Sequence, residues 1–171
     1  MCMKNVNAVA RLYNEVEMGN NPNRVSTFKN QFDIISAKFN NENNPYIGDF
    51  YIISEINLLG TAVQEDKETN IVEQQKKAKF KVRITKISDE RDRQYSWDVD
   101  EFEIDTSKDG LIIEGACVPY VNFTKVSEVN KIQLTPNDYS GEYVIKILLE
   151  SQNSSEERPW IVQSISRLSV N

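Results

Sequence analysis

A chain of 171 residues, 39% apolar and 27% charged, can bury one core without a disulfide or metal and is too short for several large domains. A net charge of −6 and a pI near 4.8 argue against a general nucleic-acid binder, whose affinity depends on a basic face. Histidine is absent, which removes the commonest general base, the Ser–His and Cys–His couples and the usual zinc ligands.

Residues 4–18 place Val6, Val9, Leu12, Tyr13 and Val16 at spacings of three and four, which predicts an amphipathic helix. Gly19 and Pro22 supply a stop, so residues 1–22 are expected to be a helix and linker preceding a domain over 23–171. Its stripe must bury somewhere, which makes Leu12 and Val16 candidate partner-binding residues.

After Pro22 the signals turn to strand. Phe28–Phe39 carries Phe32, Ile34 and Ile35 and ends in an Asn-rich turn. Phe50–Leu59 is dense in β-branched and aromatic residues and reads as a strand buried on both faces over its first half. Residues 64–77 are the least apolar and read as an exposed connection. Phe80, Val82 and Ile84 then alternate with Lys81 and Arg83. The cluster Lys76, Lys77, Lys79, Lys81, Arg83 and Lys86 reads as the solvated face of that strand.

A turn over 88–93 leads to Tyr95, Trp97 and Val99 on one parity and Phe102 and Ile104 on the other, which implies a bulge near Asp100–Glu101. Leu111–Phe123 is expected as one strand, with Pro119 at an edge or bulge. The last quarter is strand, corner, long strand, turn and closing strand: Ile132–Leu134, Thr135–Gly141, Glu142–Glu150 and Trp160–Val170. Leu134, Asp138, Gly141 and Tyr143 ahead of alternating Val and Ile resemble the corner before the penultimate strand of immunoglobulin-like domains. Asp138 stands five residues before Tyr143 rather than four, and the paired core cysteines are missing. C2-type and jelly-roll sandwiches use similar entries. The expected fold is a mainly β, antiparallel β-sandwich of about eight strands with the N-terminal helix.

Chemistry is sparse. The run Asp98–Asp105 holds the best carboxylates, yet alternation puts Asp98 with Asp100 on one solvent face, and Glu101, Glu103 and Asp105 on another. Asp105, Ser107 and Asp109, followed by Gly110 and Ile112, match the first half of a calcium loop; position twelve is Ala116, and the competing reading is an Asp–Gly hairpin turn. No other cofactor is implied. Trp97, Trp160 and Cys117 read as packing residues.

Two cysteines, Cys2 and Cys117, read as reduced thiols, and no stretch approaches the length of a membrane span, so a cytoplasmic protein is expected. Enrichment in Asn, Lys, Ile and Ser fits an AT-rich bacterial or phage coding sequence. The expected function is a non-catalytic protein-binding module or accessory subunit of an intracellular assembly. Its partner is a protein, including another copy of itself, and neither nucleic acid nor a membrane. The alternatives are a small-ligand or carbohydrate-binding sandwich with Tyr95 or Trp97 in solvent, and a carboxylate enzyme built on Asp98–Asp105.

Overall fold

The computed structural model describes residues 3–17, 19, 27–60, 77–87, 95–105, 111–113, 118–150 and 159–171, and the regular structure among them is all β-strand. The strands are β1 (Met3–Glu17), β2 (Thr27–Phe32), β3 (Ile34–Ile35), β4 (Lys38–Phe39), β5 (Pro45–Ile47), β6 (Phe50–Gly60) and β7 (Lys77–Lys86). They continue as β8 (Ser96–Asp105), β9 (Leu111–Ile113), β10 (Val118–Val129), β11 (Ile132–Gln133), β12 (Gly141–Glu150) and β13 (Trp160–Val170).

A first sheet has the order β2-β1-β6-β10-β9, a second the order β3-β13-β12-β7-β8, and a small third the order β11-β5-β4. The pairings given below are antiparallel, except that β3 runs parallel to β13.

The expected N-terminal helix is not there: β1 is a strand of 15 residues paired with β6 from Met3 to Tyr13. The apolar positions that suggested a helix also fit period two once the alanines are counted. Val6, Ala8, Ala10 and Leu12 share one face, and Ala10 and Leu12 are buried while Val9 on the other face is exposed. Asn5, Asn7 and Asn14 favour no helix, and β6, dense in buried apolar residues, needs a partner strand on each side. Met3–Glu17 is therefore an integral strand of the first sheet.

β6 is as expected: Phe50, Ile52, Ile53, Ser54, Ile56 and Leu58 are all buried. One core cluster draws on both larger sheets, with Phe50, Ile52, Ile56 and Leu58 from the first and Phe80, Val82, Ile84, Tyr143, Ile145 and Ile147 from the second. Burying each such side chain is worth about 1.5–3 kcal/mol. The sheets touch along both sides of that core. On one side Ser166 Oγ donates to the Ala10 carbonyl at 2.8 Å. On the other, Ser127 Oγ donates to Asp100 Oδ2 at 2.6 Å and Phe102 stacks on Phe123 with centroids 5.9 Å apart.

The chain passes from the first sheet to the second at Asp33, whose carbonyl accepts from Ser169 N at 2.8 Å. The β4–β5 hairpin turns on Asn40, whose Oδ1 accepts from Glu42 N and Asn44 N, both at 2.9 Å. It is held to the segment after β10 by close approach: a Cβ on Gly48 would stand 2.1 Å from the Asn130 carbonyl oxygen.

The bulge expected near Asp100 is present, as a register shift between Val82 and Arg83 opposite Asp98–Asp100. Leu111–Phe123 is two strands rather than one. β9 and β10 form a hairpin in which Val118 faces Ile113, and Pro119 precedes the residue, Tyr120, at which β10 joins β6. The connection over 64–76, the turn over 88–93 and the Asp–Gly turn over 106–110 lie outside the described residues.

Candidate interaction surface

The corner before β12 is a lock. Tyr143 is fully buried, and its hydroxyl donates to the Tyr139 carbonyl at 2.6 Å. Burial, with Asp138 nearby, raises its ionisation above the ordinary tyrosine range. Trp97 stacks on Tyr143 at 6.2 Å and Tyr95 on Trp97 at 6.5 Å. Lys86 completes the corner. It shares the inward parity of Phe80, Val82 and Ile84, is only 3% exposed, and donates its ammonium to the carboxylate and the carbonyl of Asp138. Placing Lys86 on the solvated face was therefore wrong; the alternation that buries Ile84 buries Lys86 as well.

Lys79, Lys81 and Arg83 do line the outer face of the second sheet, and β8 neutralises them; Lys76 lies outside the described residues. Arg83 Nε lies 2.6 Å from Asp98, Lys81 Nζ 3.6 Å from the same carboxylate, and Lys79 Nζ 3.1 Å from Glu101. The Arg83 hydrogen bond holds the Asp98 carboxyl below the usual range, with the charges of Arg83 and Lys81 adding to it. Across the sheet, Ser169 Oγ and Arg167 donate to Glu142 at 2.7 and 3.1 Å and lower it likewise.

Part of that face is apolar, with Lys146 standing between Val144 and Leu148 on β12. Val144 and Leu148 on β12 are buried there, next to half-buried Trp160, whose ring carries Lys81 Nζ at 4.3 Å from its centroid. Beyond them Val162 and Ile165, opposite Leu148 and Lys146, point out, 45% and 61% exposed, whereas Ile161, opposite the inward Leu149, lies on the other parity and is 48% exposed. Exposed apolar side chains grouped on a sheet face make it a candidate contact surface.

The remaining expected site residues fall as follows. Asp98 and Asp100 do not share a face: the bulge leaves Asp98 outside with Arg83 and turns Asp100 inward to Ser127, with Lys125 Nζ 3.9 Å away. Two carboxylates on opposite faces of one strand cannot exchange a proton or flank one bond. Asp105 ends β8, while Ser107 and Asp109 lie outside the described residues, and among the described residues no three acidic or cysteine side chains converge on a metal position. Leu12 lies in the core and Val16 is half-buried opposite Phe28 on β2. Trp97 packs against the core.

Ile161, Val162 and Ile165 were not singled out from the sequence, though a signal existed: Trp160–Ser166 is seven residues without a charge in a chain where 27% are charged. No helix among the described residues is long and apolar enough to cross a membrane. Compared with family models, curated proteins and solved structures, the chain matches none.

Proposed function

We propose that the chain is a non-catalytic protein-binding module, an accessory subunit of an intracellular assembly, built as an immunoglobulin-like β-sandwich. Strand order supports the fold half of this reading. The order β1-β6-β10-β9 reproduces the A-B-E-D sheet of that fold, and β13-β12-β7-β8 reproduces G-F-C with an added C′. Chain order agrees throughout, with β2 and the β4–β5 hairpin as insertions between A and B. The Tyr143–Tyr139 bond sits where a tyrosine corner belongs, at the start of F after the E–F crossing. Ile145, two residues beyond Tyr143 and fully buried, stands where antibody domains carry the second core cysteine, so apolar packing replaces the disulfide.

The observation that carries the functional half is the exposed apolar pair Val162 and Ile165 on the outer face of β13. The experiment is capture of the tagged chain and its Val162→Glu variant from cells that encode it. A stoichiometric protein recovered with the wild type and lost with the variant supports the reading. No protein with the wild type, or equal recovery with both, counts against it.

A further inference from the structure

We infer that the outer face of β12 and β13 takes an acidic protein segment, one whose carboxylate reaches Lys146 while its apolar neighbours cover Val162 and Ile165. This names the chemistry of the partner in the protein-binding reading and rests on it. The register shift between Ile147 and Leu148 assembles the face. Ile147 lies opposite Ser164 and Leu148 opposite Val162, so the extra residue, Gln163, brings Val162 onto the same outward face as Ile165. Lys146 stands at its centre. Ile165 is its neighbour on β13 and Arg83 its neighbour on β7, while Val144 and Leu148 flank it along β12.

Charge selects the partner. Four other cations of this face each have a carboxylate in contact: Arg83 and Lys81 share Asp98, Lys79 holds Glu101, and Arg167 holds Glu142. Lys146 has none among the described residues. Neighbouring strands lie about 4.8 Å apart, so Asp98, two strands away, is about 10 Å from Lys146 and is tied to Arg83. Glu150 is four residues further along β12, about 13 Å at the rise of a strand, and acts with Glu101 on Lys79.

The net charge of −6 does not reverse this. Screening acts over about 8 Å at physiological salt, so a docked group senses Lys146 and Arg83 before the rest of the chain. A basic segment would meet two adjacent cations. An uncharged apolar one would bury the Lys146 ammonium without a partner, which is costly. A carboxylate answers both, and apolar side chains next to it cover Val162 and Ile165.

The test selects short random peptides, displayed on phage, for binding to the whole chain and discards those that also bind Val162→Gln. That variant removes the apolar contact without adding charge. The survivors are then measured on Lys146→Glu and Lys146→Gln. Both altered side chains reach solvent, so the fold is not at stake, and circular dichroism checks it. The survivors are expected to carry Asp or Glu next to apolar residues. Lys146→Glu should weaken them at least about tenfold and Lys146→Gln by less, and high salt should weaken their binding to the wild type. Survivors without acidic residues, or equally strong on Lys146→Glu, overturn the acidic chemistry alone, and the protein-binding reading stands. If no peptide survives the discard, the face is not a binding surface and both readings fall.

Discussion

Lys86 and Asp138 show how one residue can be costly alone and neutral in company. A buried ammonium loses its hydration, and the Asp138 carboxylate and carbonyl compensate for it. Removing only the carboxylate, as in Asp138→Ala, should therefore cost about 3 kcal/mol in urea unfolding, reduced by whatever water reaches the half-exposed site. Replacing the lysine by methionine should stay within about 1 kcal/mol of wild type, because the charge leaves together with its need for a partner. Equal losses in the two variants would mean that the pair holds the corner by attraction rather than by compensation. Ser54 is the opposite case. Its hydroxyl is fully buried on β6 and has no hydrogen-bond partner among the described residues. Ser54→Ala should raise unfolding stability by about 1 kcal/mol, since it removes an unpaired polar atom and leaves almost no void. A loss would show that the hydroxyl bonds in solution.

At the scale of the element, β1 decides how this chain is read. A helical stripe would make Val9 and Leu12 equivalent; a strand separates them. Leu12→Ala should cost about 2–5 kcal/mol, whereas Val9→Ala, on the outer face, should change unfolding by less than about 0.5 kcal/mol. Similar losses at both positions would restore the helix. The sequence was ambiguous here because spacings of three and four alternate parity in a way that both periods tolerate, and because alanine marks a buried strand position weakly. Phe50–Leu59 and Phe80–Ile84 were legible because β-branched and aromatic density admits one answer, and the bulge after Trp97 was legible as a change of parity. The pairing of β3 with β13 was not, because two residues carry no period, and neither was the inward turn of Asp100, which depends on where the extra residue falls. The corner at Tyr143 was legible as a motif, but its Lys86 partner lies 52 positions from Asp138, beyond the reach of local pattern.

For the molecule as a whole, pH acts through the outer face of the second sheet. Asp98 and Glu142 are both held below their ordinary carboxyl range by donors on neighbouring strands. A carboxylate depressed in the folded state contributes stability that is present above its unfolded pKa, about 4, and lost as pH falls through the folded value. Stability should thus be level at neutral pH and decline below about pH 4. The contribution is small, since both groups are more than a third in solvent. Arg83→Gln tests the assignment: it should be less stable than wild type at neutral pH, and the two should converge as pH falls through the lowered range of Asp98. A gap that persisted in acid would mean that Arg83 acts through packing over the sheet and not through Asp98.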